Sequence, residues 1–147
     1  MSRPVYLDRS AIVKLYVREA GSAEALQWLA DAGPVACSVL GYVEVRAALA
    51  AAVRSQRLKP DDHLAALESF KADWQNYSMV ATDAPLLERA AELAEGFGLR
   101  GYDSLHLASA ERIRLALPET CFISFDLALN RAAKLLGFVV PAFASQA

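Results

Sequence analysis

The sequence predicts an α/β fold in which short, mainly parallel strands form a central sheet covered by helices. Short apolar runs alternate along the chain with segments whose apolar residues recur at helical spacing, which is the pattern of successive β-α units. The chain has 147 residues, 55% of them hydrophobic and 22% charged, which suits one compact core and excludes a mainly disordered chain. Neither an internal repeat nor a linker divides the sequence, so we expect a single domain over residues 1–147.

The first half of the chain contains two short apolar runs and four helical segments. Alanine-rich, proline-free sequence favours a long helix, and Pro60 followed by two acids is typical of a first helical turn. Gly21 and Ser22 supply a break and a candidate N-cap. The predicted elements are a strand at 5–7, a helix at 11–17, a helix from 22 to about Gly33-Pro34, a strand at 35–38, a helix at 40–56 and a helix opened by Pro60.

The second half repeats the alternation of short strands and helices. Thr82, Asp83 and Pro85 are starting signals for a helix, and Gly96 or Gly98 ends it. Residues 100–102 then interrupt the pattern. The predicted elements are a strand at 78–81, a helix from 82 to about 96 or 98, a helix from Asp103 to about 115, a strand at 121–123, a helix at 127–136 closed by Gly137 and a last strand at 138–140 before Pro141.

Charge and hydropathy restrict the classes of function. Fifteen basic and seventeen acidic residues give a formal charge of −2, so binding to nucleic acid would depend on a local basic surface. No uncharged apolar run reaches the roughly 18 residues of a membrane span, and Asp8 within the first apolar run argues against a secretory signal. Cys37 and Cys121 lie far apart in apolar stretches, which suits buried free thiols in a reducing compartment. We therefore expect a cytoplasmic protein with no membrane partner.

Four acids stand in apolar surroundings: Asp8, Glu44, Asp103 and Asp126. Functional groups of open parallel sheets gather beyond the carboxyl ends of the strands, and Asp8 and Asp126 follow predicted strands. Poorly hydrated carboxylates that lie near one another need caps, protonation or a bound cation. Magnesium or manganese would satisfy them, since these ions prefer oxygen ligands, orient a nucleophilic water and neutralise a phosphate. The four acids are therefore a candidate metal site.

Each of these acids also has a simpler interpretation. Asp8, Asp103 and Asp126 stand near predicted helix starts, where aspartate commonly caps the helix. Glu44 lies inside a predicted helix, where it can pair with a nearby arginine such as Arg46. Both interpretations stay open for any one residue, whereas the joint pattern favours the metal site.

Four stretches of sequence carry a family resemblance. They are Tyr-Leu-Asp8-Arg-Ser10-Ala-Ile-Val-Lys-Leu-Tyr, Val-Glu44-Val-Arg-Ala-Ala-Leu, Leu-Arg-Gly-Tyr-Asp103-Ser-Leu-His-Leu-Ala and Phe-Ile-Ser124-Phe-Asp126-Leu-Ala-Leu-Asn-Arg-Ala-Ala. With these motifs, over nearly its whole length, the chain resembles the PIN-domain ribonucleases and specifically the VapC-type toxins of bacterial toxin-antitoxin pairs. The resemblance implies a three-layer α/β/α PIN-like domain with a short-stranded, mainly parallel central sheet. Arg9 departs from the pattern, because family members usually carry a small residue there.

The resemblance implies a metal-dependent endoribonuclease that uses Mg²⁺ or Mn²⁺. Asp8 and Asp103 would be direct ligands, Glu44 a ligand or a water-orienting base, and Asp126 a ligand to a second ion. Water attack in line with the departing 3′-oxygen would leave 5′-phosphate and 3′-hydroxyl ends. The hydroxyls of two further residues would hydrogen-bond acids or water around the metal: Ser10 and Ser124.

Candidate RNA contacts are the cations Arg9, Lys14, Arg46 and Arg100, with Tyr102 as an aromatic face on which an unpaired base can stack. Ordinary solvated charge is the alternative interpretation for each cation. His106 lies one helical turn after Asp103. It either binds metal or, as the simpler interpretation, is satisfied by a carboxylate or backbone partner.

The resemblance also implies partners. They are a VapB-type antitoxin whose tail lies in a groove leading to the acids, an RNA substrate and a second copy of the chain in a homodimer. Apolar helix faces around Leu26, Trp28 and Leu29 and over residues 40–49 are candidates for these contacts, or equally for the chain's own core.

Two other classes of function compete with the nuclease. A catalytically silent module would use the same groove to hold a peptide, but it would have no physical reason to gather four carboxylates. A phosphatase of the haloacid dehalogenase type needs Asp-x-Asp after the first strand, and here the second position is Ser10. The nuclease is therefore the favoured interpretation.

Overall fold

A computed structural model describes residues 2–142 of the chain. These residues contain four strands and seven helices. In chain order they are β1 (Arg3–Leu7), α1 (Arg9–Lys14), α2 (Ser22–Ala30), β2 (Ala32–Ser38), α3 (Gly41–Arg54), α4 (Pro60–Trp74), β3 (Ser78–Val80), α5 (Ala84–Phe97), α6 (Gly101–Ala116), β4 (Cys121–Ile123) and α7 (Leu127–Leu135).

The strands form one parallel sheet in the order β3-β2-β1-β4. Successive side chains of a strand point to opposite faces, so Val5 and Leu7 join one buried cluster and Tyr6 joins the other. Helices α1, α3 and α4 contribute to the first cluster, and α5, α6 and α7 contribute to the second. Both faces of the sheet are covered, which explains the continuous apolar runs of its strands. The predicted three-layer α/β/α architecture is confirmed.

Strand β2 begins at Ala32, so the expectation that Gly33 and Pro34 end α2 is wrong. The pairing of β2 with β1 is irregular at this point. Arg3 lies opposite Ala32 and Val5 lies opposite Val35, so β2 carries one extra residue. A proline fits such a bulge because the unpaired position needs no N–H.

The predicted strand at 138–140 is reduced to a single bridge between Val139 and Cys121. Gly137 turns the chain just before this bridge with a φ of 90°. Helix α1 is also shorter than predicted and ends at Lys14. The N–H groups of Leu15 and Tyr16 bond to carbonyls three residues back, which tightens the end of this helix into a turn.

Helix α6 begins at Gly101, two residues before the predicted start, because Arg100 takes the extended N-cap position. Asp103 therefore lies in the first turn and does not cap the helix. Cys37 and Cys121 are buried and free, as predicted. Within residues 2–142, no helix has both the length and the apolar character that a membrane crossing requires.

Candidate active site

All four acids singled out in the sequence line one cavity of about 750 Å³. Asp8 follows β1 and Asp126 lies just beyond β4, and these two strands are parallel neighbours whose carboxyl ends meet at one edge of the sheet. Glu44 comes from the first turn of α3 and Asp103 from the first turn of α6. Four separate elements thus bring their carboxylates to the same place.

Asp8 is buried, and both of its carboxylate oxygens accept hydrogen bonds. Oδ1 accepts from Ser10 Oγ at 2.7 Å and from the Ala11 N–H at 3.0 Å, and Oδ2 accepts from Ser124 Oγ at 2.6 Å. Burial raises the pKa of Asp8 above its ordinary value, although His106 and these donors oppose the shift. Asp8 therefore caps α1 and also faces the cavity.

The two predicted serines join the loop after β1 to the loop after β4. Ser124 Oγ accepts from the Asp126 N–H at 3.0 Å, and Ser10 Oγ accepts from the Phe125 N–H at 2.8 Å. Asn130, which the sequence analysis missed, donates from its side-chain amide to the Ser124 carbonyl at 2.8 Å. Its position one helical turn after Asp126 was the available signal. These bonds hold residues 124–126 against Asp8.

Glu44 and His106 form a pair, with 2.7 Å between Glu44 Oε1 and His106 Nε2. On the other side of the imidazole, Nδ1 lies 2.9 Å from the hydroxyl of the buried Tyr6. Burial lowers the pKa of His106, but the Glu44 hydrogen bond and the nearby acids outweigh it, so the pKa lies above its ordinary value. An ionised Glu44 can only accept, so its partner Nε2 must then carry a proton; the Tyr6 hydroxyl suits either ring charge, since it can donate to Nδ1 of a neutral ring or accept from Nδ1 of a charged one.

This pairing bears on two interpretations left open by the sequence. His106 has a carboxylate partner, which favours the simpler interpretation over metal ligation. The suggested pairing of Glu44 with Arg46 is wrong, because Arg46 instead lies over the Tyr42 ring and donates to its hydroxyl at 3.3 Å. Residues 44 and 46 are separated by 200° around a helix, so their side chains diverge.

Asp103 and Asp126 are bridged by one guanidinium. Arg100 Nε donates to Asp103 Oδ2 at 2.9 Å, and Arg100 Nη2 donates to Asp126 Oδ2 at 3.2 Å. Asp126 also caps α7, since its Oδ1 accepts from the Leu129 N–H at 2.9 Å. Capping therefore accounts for part of the role of Asp8 and Asp126 but for none of that of Asp103 or Glu44.

The donor set of the cavity fits a hard divalent cation, because it offers carboxylate oxygens and no thiolate. One of these acids is buried with a raised pKa, which is the situation that a bound cation relieves. Within the described part of the chain, no three acidic, histidine or cysteine side chains converge on one point as they stand. Arg100 already engages an oxygen of two of the acids.

The predicted RNA contacts do not all reach the cavity. Arg9, Arg100 and Tyr102 line it, and Arg9 and Tyr102 are exposed. Lys14 lines an adjoining groove, where it pairs with Glu19 at 3.0 Å. Arg46 belongs to the lining of neither.

Two basic residues that the sequence analysis missed lie along the same surface. Arg54 lines the cavity, and Arg57 lines the adjoining groove together with Phe125. Arg54 lies one helical turn after Ala51, and both residues line the cavity with Glu44 from α3, so the helical period was the available signal. Arg9 and Arg54 form no ion pair with any acid of residues 2–142, which leaves their charge directed at solvent and cavity.

Comparison with known proteins gives a consistent set of relatives. The PIN domain family matches residues 5–135. Ribonuclease VapC45 of Mycobacterium tuberculosis is 40% identical over 139 residues, which cover 94% of this chain and 95% of that protein. Ribonuclease VapC46 of the same species is 36% identical over 141 residues, covering 94% and 96%. A toxin-antitoxin complex from Klebsiella pneumoniae contains a chain of the same fold, with a TM-score of 0.62, 18% identity and coverage of 95% and 97%.

Proposed function

This chain belongs to the PIN-domain family, in the group of VapC ribonucleases, and on that premise we propose that it is a metal-dependent endoribonuclease acting as the toxin of a toxin-antitoxin pair. The observation that carries the proposal is the meeting of four carboxylates from four elements in one open cavity. Helix capping alone does not explain why the four acids lie together, because Glu44 and Asp103 cap no helix. A phosphatase of the haloacid dehalogenase type is disfavoured, because Ser10 replaces the second aspartate and donates to the first.

The metal ligands of this proposal are the four acids. Asp8 and Asp103 are assigned as direct ligands of Mg²⁺ or Mn²⁺, Glu44 as a ligand or water-orienting base, and Asp126 as a ligand to a second ion. When bound, such a cation polarises the scissile phosphate and lowers the pKa of the attacking water. The cleavage consumes one water and leaves a 5′-phosphate and a 3′-hydroxyl.

The chain's own residues hold this machinery in place. Ser10 and Ser124 each donate to one carboxylate oxygen of Asp8, which fixes the rotation of that carboxylate. His106 Nε2 holds Glu44 Oε1 in the same way, and the Tyr6 hydroxyl contacts Nδ1 on the opposite side of the imidazole. Such support keeps the acids oriented while RNA enters and leaves.

The RNA would be held by charge and stacking around the cavity. Arg9 and Arg54 offer unneutralised guanidinium groups to phosphates, and Tyr102 offers an exposed ring to an unpaired base. Beyond them, Lys14 and Arg57 line the adjoining groove, where Glu19 pairs with both and leaves one of the two positive charges uncompensated. Because the net charge of the chain is −2, binding of RNA requires a local positive surface, and in this proposal these residues supply it.

The proposed protein partners are a VapB-type antitoxin and a second copy of the chain. The antitoxin partner is supported by the similarity in fold to a chain from a toxin-antitoxin complex. Of the candidate apolar faces, Trp28 and Leu29 pack against the core, and Val45 and Leu49 are buried in it, so these residues serve the chain's own fold. Leu26 and Val43 are exposed by 52% and 68% and remain candidates for contact with a partner.

The test compares wild-type protein with Asp8→Asn on total cellular RNA, with Mg²⁺, with Mn²⁺ and with chelator, followed by mapping of new 5′ ends. Asp83→Asn is the matched control, because Asp83 also caps the helix after a strand but lies outside the cavity. Asparagine retains the capping ability at both positions. We expect discrete, metal-dependent cleavage by wild type and Asp83→Asn and a loss of at least about 100-fold for Asp8→Asn.

Two results would contradict the proposal. Equal cleavage by wild type and Asp8→Asn would remove Asp8 from the active site. An absence of cleavage by antitoxin-free wild type would favour the silent peptide-binding module.

A further inference from the structure

Arg100 occupies an unusual position for a cation. It is the N-cap residue of α6, where the helix dipole presents its positive end, and its side chain makes no capping hydrogen bond. A positive side chain at this end is unfavourable unless acids offset the repulsion. Asp103 and Asp126 provide this compensation at 2.9 and 3.2 Å.

The same guanidinium competes for the oxygens that a metal would use. Arg100 donates to Oδ2 of Asp103 and to Oδ2 of Asp126. The other oxygen of Asp126, Oδ1, accepts the hydrogen bond that caps α7. A divalent cation bound to Oδ2 of both aspartates would lie within a few ångströms of the guanidinium, and the repulsion between the two positive groups would displace Arg100. Since the Arg100 side chain is 76% exposed, it can swing into solvent without disturbing the core.

We propose that Arg100 is a built-in counter-ion that holds Asp103 and Asp126 together in the metal-free protein and is displaced when a divalent cation binds. This inference rests on the proposed function, because it assigns the two acids to the metal site. Arg100 relieves the repulsion between the two carboxylates in the metal-free protein, and it lowers the metal affinity because the metal must replace it. Once displaced, the Arg100 guanidinium is available at the cavity rim for a substrate phosphate.

The test measures Mn²⁺ binding to chelator-treated full-length protein by the electron paramagnetic resonance signal of free Mn²⁺, with no RNA present. Arg100→Gln removes both ion pairs, and we expect Mn²⁺ affinity to rise about three- to tenfold, as suits two solvent-exposed pairs. Arg54→Gln is the matched control, since Arg54 lines the same cavity but pairs with none of its acids. Its loss should change the affinity by about twofold or less, through screened long-range charge alone.

A second variant separates the bridge from the charge. Arg100→Lys keeps the positive charge but replaces the planar fork by a single ammonium that cannot reproduce the two-nitrogen bridge. We expect an affinity between those of wild type and Arg100→Gln. As an independent readout, Mn²⁺ should raise the melting temperature of Arg100→Gln more than that of wild type, in proportion to the tighter binding.

The outcomes separate this inference from the proposed function. If Arg100→Gln binds Mn²⁺ no more tightly than Arg54→Gln does, the counter-ion role is overturned, while metal-dependent RNA cleavage by wild type leaves the nuclease intact. If Arg100→Gln binds Mn²⁺ more weakly than wild type, the counter-ion role is also overturned. That result would mean that Arg100 orients Asp103 for metal binding. If no variant binds Mn²⁺ and wild type does not cleave RNA, both proposals fail together.

Discussion

Tyr6, His106 and Glu44 form a chain of hydrogen bonds that runs from the core to the cavity. Its buried end contributes to the stability of the fold, because a buried polar group without a partner is costly. Tyr6→Phe leaves His106 Nδ1 without its hydroxyl partner, so we expect the free energy of unfolding to fall by about 1–2 kcal/mol. Urea denaturation measures this loss.

Tyr16→Phe is the control for this substitution. It also removes a hydrogen-bonded hydroxyl, which donates to Asp73 at 2.6 Å and lies 3.1 Å from the Tyr77 hydroxyl. Tyr16 is only half-buried and Asp73 is exposed, so water can reach Asp73 when the hydroxyl is lost. A loss for Tyr16→Phe as large as that for Tyr6→Phe would contradict the importance of the buried chain.

The pKa of His106 makes the stability of the metal-free protein depend on pH. Folding raises this pKa above the ordinary value of 6.5, so the folded state binds the proton more tightly than the unfolded state does. The resulting stabilisation is full below pH 6.5 and is lost as the pH rises through the raised folded value. Denaturation in chelator between about pH 5.5 and 8.5 should therefore show declining stability, and His106→Gln should flatten the decline. An equally steep decline in His106→Gln would assign the effect to other groups.

At the scale of elements, the start of α2 supports the loop that carries Asp126. Gly21 has a φ of 92°, and a Cβ built there would lie 2.6 Å from Phe125 Cε1. Phe125 lies between Ser124, which donates to Asp8, and Asp126. A displacement of the Phe125 ring would therefore shift the loop that holds the Asp8 carboxylate. We expect Gly21→Ala to lower the free energy of unfolding by about 2–4 kcal/mol, from backbone strain plus overpacking.

Gly98→Ala separates the two causes. Gly98 also has a positive φ, of 67°, but a Cβ there would meet nothing within 4 Å. Backbone strain alone should cost about 1–2 kcal/mol and leave RNA cleavage unchanged at temperatures where the protein is folded. Gly21→Ala should reduce cleavage under the same conditions, and equal cleavage by the two variants would uncouple α2 from the site.

The order of elements followed from local pattern, and the errors arose where long-range contacts intervene. The alanine-rich segment around Leu49 and the capping signal at Asp83 predicted α3 and α5 correctly. Gly33-Pro34 was taken for a helix end, because nothing local reveals that β1 tolerates a bulge opposite this pair. The run at 138–140 has the composition of a strand, yet only Val139 reaches a partner.

Across the whole molecule, a net charge of −2 opposes binding of RNA, so the proposed RNA binding requires a local basic surface, which we assign to the cavity. In an Asp8→Asn background, chosen because we expect it to abolish cleavage, Arg9→Gln and Arg54→Gln should each weaken binding of a mixed-sequence single-stranded RNA. Each should also lower the slope of log affinity against log salt by about 0.7. Fluorescence anisotropy across a salt series measures both quantities.

Arg112→Gln is the matched control for this experiment. It removes the same charge from the protein, but Arg112 is paired with Asp83 at 2.8 Å and lies outside the cavity lining. Its slope and affinity should match those of the Asp8→Asn parent. Equal losses in all three variants would show that total charge, and not the cavity surface, governs the binding.

Local sequence pattern predicted the alternation of strands and helices, offered Asp8, Asp103 and Asp126 as candidate helix caps, and singled out the four acids as a candidate site. Each of these depends on local periodicity or on a short motif, which neighbouring residues specify directly. The partners of these acids became visible in the folded chain alone. Arg100 meets Asp126 across 26 residues, and His106 meets Glu44 across 62. Such contacts are set by how the helices pack on the sheet, and no local pattern encodes that geometry.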